Sequence, residues 1–437
     1  MKNMIIHDKI DEAIEFYDEY DKRDQKDIED HIQLTEHYAH ALRIKGRSKE
    51  AYEKLESFDD QLQDLRFPYL KIILLITKIY IMGLDFHPDE ARKLYDHWYD
   101  EFKTFLPQNN VEKSTLATLY HVHGIIYLLN DEDNSCIEQC NKSIKVREEL
   151  IEDNFDVTWQ KRAIAGTFYN LSQVYFQEGD INKSLESAKR CYDMNYDLQS
   201  YIPLAYGASA YGLDLLQLGK TNEGLKKLRE SYEYFKKFNT TNIVQYALNP
   251  LISINLMTGD YEQAYSYIKE MEQVTEKMDE ARKFILFIRK ALYFRKIGEF
   301  QKSIDFYNYA IDVLDKYESK NQSYKMYTLM DKANVFVEMN NIKMARDSAE
   351  KVSFYLKTEK VPKILDLGLN LDLIDVLIKL EDLNTAEKLY QKAGEMLTSL
   401  GEEKYLFLNL KYKFTHALLI KSKTRLKDKL IAIDEFK

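Results

Sequence analysis

GDINKSL, which begins at Gly179, returns along the chain as GKTNEGL from Gly219, GDYEQAY from Gly259 and GEFQKSI from Gly298. GRSKEAY from Gly46 is an earlier copy, and NNIKMAR from Asn340 and EDLNTAE from Glu381 are variants of it. Each block holds a Gly or polar corner, a polar residue, an apolar residue, then a small residue followed by an apolar one. The small residues mark a register: Ala13, Ala51, Ala91, Cys136, Ser184, Gly224, Ala264, Ser303, Ala345 and Ala386. Their spacings are 38, 40, 45, 48, 40, 40, 39, 42 and 41 residues, an internal repeat too even to be accidental.

The block has a simple physical reading. A glycine that can take φ > 0 ends one helix, a short turn reverses the chain, and a second helix begins. The small residue then sits where the two helices cross, because a large side chain there would hold the backbones apart. Seven residues before the corner a second small position recurs, as Ala39, Gly124, Ser172, Gly212, Ala291 and Ala333. Ile79, Ile252 and Ile374 break that rule and predict looser crossings. Pro250, inside an otherwise helical stretch, predicts a kink. One hairpin cannot bury its apolar face alone, so neighbouring hairpins must stack.

Composition agrees. The chain has 437 residues, more than one compact core usually serves, and only 14 Gly and 6 Pro, too few turn-formers for an all-β protein. A net charge of -10, with Lys and Arg spread throughout, disfavours a nucleic-acid surface. Three sparse cysteines (Cys136, Cys140, Cys191) suit a reducing compartment, and MKNMIIHDKIDEAI turns acidic before any apolar run of signal-peptide length. The most apolar run, Ile72 to Met82, contains Lys78 and is too short to span a bilayer. A cytoplasmic protein with no membrane association is therefore expected.

The repeat resembles the tetratricopeptide family. In the Gly179 unit the positions matching the family pattern are Phe168, Leu171, Ser172, Tyr175, Gly179 and Ser184, with Ala188 where the family usually has its second aromatic. The period here is nearer 40 than 34 residues, and the closing Pro is generally missing. Both features suit longer helices, as in the long-repeat branch seen in kinesin light chains and bacterial peptide-pheromone receptors. The resemblance implies an all-α fold: a right-handed superhelical solenoid of antiparallel helical hairpins, about ten repeats long. The expected divisions are an N-terminal capping helix (1–24), repeats with longer loops (25–157), regular repeats (158–400), and C-terminal capping helices or a truncated repeat (401–437).

The resemblance further implies binding through an inner face lined by the first helix of each hairpin. Projecting the packing pattern onto those helices leaves Tyr169, Asn170 and Gln173 free in one unit, then Tyr206, then Tyr246 and Asn249, then Arg289, then Tyr327 and Asn334. Gln177, Ser209, Gln217, Ser253, Arg295 and Asp331 extend the set. Amides can both donate to and accept from an extended peptide backbone, and tyrosines add contact area at low entropic cost. Arg289 and Arg295 could meet an acidic group, but six residues along a helix leave them about 120° apart, which favours a solvated face.

His121, His123, Cys136 and Cys140 are residue types that ligate metals, but Cys136 is a register mark and Cys140 aligns with Ala188, so packing is the expected role. No phosphate loop, HExxH or GxSxG is present, so neither cofactor, metal site nor enzymatic activity is expected. The leading expectation is a scaffold for a protein or extended peptide ligand. The alternatives are a peptide-responsive regulator that switches conformation and a docking or sensor module for a separate enzyme. Apolar terminal helices would allow a homodimer.

Overall fold

The computed structural model describes the chain apart from residues 24–25, 63–64, 66, 86–87, 131, 242–243, 277, 279, 281–282, 317–321, 359–360, 362, 402–405 and 436–437. Among the described residues the regular structure is helical throughout, with no strand. Antiparallel hairpins pair Ile28–Ile44 with Ser48–Glu56, Pro68–Asp85 with Pro88–His97, and Asn110–Leu129 with Asp133–Glu152. Further along, Asn249–Thr258 pairs with Tyr261–Thr275, Phe284–Lys296 with Phe300–Lys316, Gln322–Glu338 with Ile342–Thr358, and Lys363–Lys379 with Leu383–Leu400. Helices Val157–Glu178, Ile181–Asp197, Tyr201–Gln217 and Thr221–Lys237 lie between, and Leu406–Glu435 is one continuous helix at the end.

The corners form as the sequence requires. Gly46, Gly179, Gly219, Gly259 and Gly298 all have φ between 76° and 84°. A Cβ on Gly259 or Gly298 would meet nothing within 4 Å, so backbone conformation alone calls for glycine there. The variant corners reach the same left-handed region without glycine, Asn340 at φ 55° and Glu381 at φ 60°.

At the crossings the need is for space. Ala13, Ala51, Ala91, Cys136, Ser184, Ala264, Ser303, Ala345 and Ala386 are each at most 1% exposed. A Cβ on Gly212 would lie 2.9 Å from the carbonyl oxygen of Gly224, and one on Gly124 would lie 2.9 Å from Cys140 Sγ. Where the mark is serine its hydroxyl stitches the crossing: Ser303 Oγ donates to Ala291 O at 2.8 Å, and Ser184 Oγ lies 2.9 Å from Ser172 O. Ile79, Ile252 and Ile374 are fully buried as well.

Of the expected loop expansions, Phe86 and His87 lie outside the described residues. Before Pro107 the additional residues form a short helix, Tyr99–Thr104, and at Asn154 and Asp156 the backbone takes positive φ. At Pro250 the winding changes: a π turn over Val244–Leu248 gives way to an α-helix at Asn249, with the proline in its first turn.

The chain forms two compact units. The first comprises Met1–Phe176, Asn182–Asp214 and Asn222–Ala247, the second Gln177–Ile181, Leu215–Thr221 and Leu248–Lys437. The first has a core from Ile5 to Ile202, and its N-terminal segment is tied down far along the chain. Ser200 Oγ donates to Ile6 O at 3.2 Å, and Asp8 Oδ2 accepts from the Tyr201 backbone N–H at 2.5 Å, capping that helix from 193 residues away. The second unit has its own core, from Ala291 to Leu419.

In the second unit successive first helices, from Asn249–Thr258 through Phe284–Lys296, Gln322–Glu338 and Lys363–Lys379 to Leu406–Glu435, touch one another in series. Among the described residues successive second helices make no comparable contact. The hairpins therefore fan outward, and the first-helix side is the concave one.

Candidate functional site

In the first unit Tyr169, Tyr206 and Tyr246 converge. Ring centroids lie 5.7 Å apart for Tyr169 and Tyr206, 4.9 Å for Tyr206 and Tyr246, and 6.5 Å for Tyr169 and Tyr246, all edge to face. Phe235 closes the group at 5.0 Å from Tyr206. Edge-to-face packing of this kind adds stability beyond area burial, so three side chains read from the sequence as separate contact points form one half-buried aromatic surface. Burial, reinforced by Tyr246 and Tyr206, pushes the Tyr169 hydroxyl well above its ordinary pKa, so it stays a neutral donor.

Asn170, beside this surface, is 8% exposed, and its Nδ2 has no hydrogen-bond partner among the described residues. Gln173 is half-buried, with Nε2 at a long 3.4 Å from Ser172 Oγ. Ser209 is a strut instead of a contact group, donating to Tyr246 O at 2.6 Å, and Gln217 is exposed.

In the second unit the concave face carries a row of polar side chains, one from each first helix: Asn249, Arg289, Asp331, Asp372 and Lys411. The first four stand 14 or 15 residues before the register marks of their own units, and Asn170 stands 14 before Ser184. The offset returns the same face to the same side of every hairpin.

Arg289 Nε donates to Asn249 Oδ1, joining two neighbouring first helices. Arg289 is half-buried, and desolvation lowers its pKa, so it does not lie on a solvated face as the sequence suggested. Arg295 has a different place: it pairs with Glu338 at 2.6 Å and reaches Asp331 at 3.8 Å. Burial pushes the Asp331 carboxyl up to about 6; Arg295 opposes that rise and Asp372 adds to it. Asp372 pairs with Lys411 at 2.7 Å.

Tyr327 is 41% exposed, and its hydroxyl lies near Gly368 of the next first helix. Asn334 donates one amide N–H to Met330 O within its own helix at 3.2 Å, which leaves its second N–H and its oxygen, whereas Ser253 gives its single proton to Asn249 O at 2.9 Å. Asp372 and Lys411 were missed from the sequence, although Asp372 stands 14 residues before the mark Ala386 and Lys411 follows Asp372 by 39 residues, about one repeat. Tyr307 was missed as well. It sits on a second helix at 0% exposed, and its hydroxyl has no partner among the described residues.

The histidine and cysteine pairs remain apart in chemistry. His121 Nδ1 lies 2.9 Å from Thr167 Oγ1, His123 packs edge-on to Tyr95 at 4.6 Å, and burial pushes both imidazoles down to about 3. Cys136 and Cys140 are fully buried. Among the described residues no group of three or more His, Cys, Asp or Glu is placed to hold a metal ion, and no helix is long and apolar enough to cross a membrane.

Residues 165–198 match the model of the tetratricopeptide repeat. No curated protein sequence matches the chain. Among solved structures, the apo form of the quorum sensor NprR from B. thuringiensis is similar at 12% identity and TM-score 0.52, over 85% of this chain and 100% of that one. Aspartyl phosphate phosphatase F from Bacillus subtilis is similar at 13% identity and TM-score 0.51, over 80% and 91%. NprR in complex with its cognate peptide NprX is similar at 13% identity and TM-score 0.50, over 83% and 98%. Stacked hairpins with glycine corners and small register marks give the chain an all-helical solenoid fold similar to that of tetratricopeptide-repeat structures, with a match to the repeat model itself in one unit, residues 165–198.

Proposed function

We propose that the chain is a peptide-binding scaffold that holds an extended ligand against the first-helix faces of its repeats. The observation that carries this reading is the polar row, Asn170 in the first unit and Asn249, Arg289, Asp331, Asp372 and Lys411 in the second. Side chains that donate and accept hydrogen bonds recur there once per repeat, on the side that the small crossing residues do not use. The aromatic surface of Tyr169, Tyr206 and Tyr246 supplies rigid contact area beside that row in the first unit. NprR, with which the chain shares its fold at low identity, is a quorum sensor and has a structure with a cognate peptide; that likeness supports the reading without identifying a ligand.

The finer proposal is that ligand binding draws the repeats together and makes the chain a regulator. A bound peptide would then raise the melting temperature and reduce the radius of gyration in solution scattering. The binding proposal itself is tested by affinity selection from a random peptide pool, read by mass spectrometry, on the native chain and on a variant with Asn170 and Asn249 changed to Ala. Capture by the native chain that falls at least tenfold in the variant is expected. Equal capture by both would remove the polar row from the site.

A further inference from the structure

The concave row of the second unit contains an arginine with no carboxylate in direct contact, Asp331 acting on it only from a distance. Arg289 is half-buried, and its only hydrogen bond among the described residues runs from Nε to the neutral amide oxygen of Asn249. No carboxylate among the described residues lies within ion-pair distance of it, whereas Arg295, two turns on, has Glu338 and Asp331. The guanidinium therefore keeps its terminal N–H groups, the pair whose planar fork matches a carboxylate.

A second group is unmet on the second helix of the same hairpin. The Tyr307 hydroxyl is fully buried, has no partner among the described residues, and lies within electrostatic reach of Arg289, Arg295, Asp331 and Glu338. A buried hydroxyl without a partner destabilises a fold, and so does a desolvated guanidinium without a counter-charge in direct contact. Phenylalanine at 307 and a neutral side chain at 289 would remove both costs. What the two groups share is the need for an acceptor, and an anion supplies it to both.

Resting on the peptide-binding reading, we propose that Arg289 and Tyr307 form a subsite for a carboxylate of the peptide ligand, with Asn249 holding the guanidinium in place. The carboxylate comes either from the C-terminus or from an acidic side chain. Asp331 and Asp372 on the next two first helices repel the same group, so they confine it to the Arg289 end of the row. Lys411 does not compete for the anion, because Asp372 already neutralises it at 2.7 Å.

The test is affinity selection on the full chain with three pools of random hexapeptides otherwise free of Asp and Glu. One pool ends in a free carboxylate, one in an amide, and one is amidated but carries a single internal Asp or Glu. At least a tenfold enrichment of one or both acidic pools over the neutral amide pool is expected, and whichever pool is enriched identifies the source of the carboxylate. Arg289→Gln should lose the preference, read as the ratio of acidic to neutral peptides in whatever it captures, with unchanged helicity by circular dichroism. Tyr307→Phe should weaken the preference severalfold without lowering the melting temperature, an outcome that a merely structural role for the hydroxyl would not give. Native chain that captures all three pools equally, or an Arg289→Gln variant that keeps the preference, overturns the subsite and leaves peptide binding standing. Capture of none of the pools overturns peptide binding and the subsite together.

Discussion

A single hydroxyl proton decides the state of one buried carboxyl. Ser184 Oγ lies 2.9 Å from Ser172 O and 2.8 Å from Asp214 Oδ2, yet a serine has only one proton to give. If that proton goes to the backbone carbonyl, Asp214 must carry its own and donate to Ser184. Burial pushes the Asp214 carboxyl up to about 7, opposed only by the Ser184 hydrogen bond, so the protonated form is the one the fold favours. The folded pKa is raised, so the stability it brings is complete below the unfolded pKa near 4. That stability falls as pH rises towards 7, by about 1.4 kcal/mol per unit, and stays flat above. Asp214→Asn has no such dependence. Its denaturant-measured stability should therefore gain on the native chain between pH 5 and 7, and a gap that does not change with pH would contradict this account. Glu381 offers a second test: at φ 60° it pays for a left-handed corner that glycine takes freely, so Glu381→Gly should raise stability by about 1 kcal/mol in the same assay. At this scale the sequence was only half legible. Asn170 and Asn249 stand out as polar residues in an apolar register, but Tyr307 looks like any core aromatic, because nothing in a sequence tells whether a buried hydroxyl has found a partner.

The helical hairpin separates two uses of glycine that the sequence shows as one letter. Gly259 is needed for its backbone angle and Gly212 for its missing Cβ. Gly259→Ala should cost about 1 kcal/mol, the ordinary price of left-handed backbone. Gly212→Ala should cost more, about 2 to 3 kcal/mol, because the new methyl would meet the Gly224 carbonyl and Leu228 and force two packed helices apart. Thermal unfolding of the two variants side by side checks the order, and equal losses would mean that the crossing is softer than its distances imply. The corners were readable from the sequence because glycine and the small mark recur together. The winding before Asn249 was not: Pro250 reports a missing donor but not the π turn that precedes its helix.

For the molecule as a whole, the even spacing of the register marks carried the architecture, since hairpins that each expose an apolar face have to stack. Contacts between distant repeats left no trace in that pattern. Asp8 caps a helix that begins at Tyr201, and no local motif announces an acid that serves a helix so far along the chain. The site was legible as a face and not as a set of partners. Tyr169, Tyr206 and Tyr246 are separate positions in the sequence and join into one surface, while Asn334, on another first helix, also bonds the backbone of its own helix. What the account claims above all is that a ligand lies on the first helices. Hydrogen exchange read by mass spectrometry, with and without a peptide from the selection, tests this directly. Slower exchange should appear in first helices, Val157–Glu178 and Tyr201–Gln217 in one unit and Asn249–Thr258 and Phe284–Lys296 in the other, with the second helices unchanged. Protection confined to second helices such as Tyr261–Thr275 and Phe300–Lys316 would contradict it.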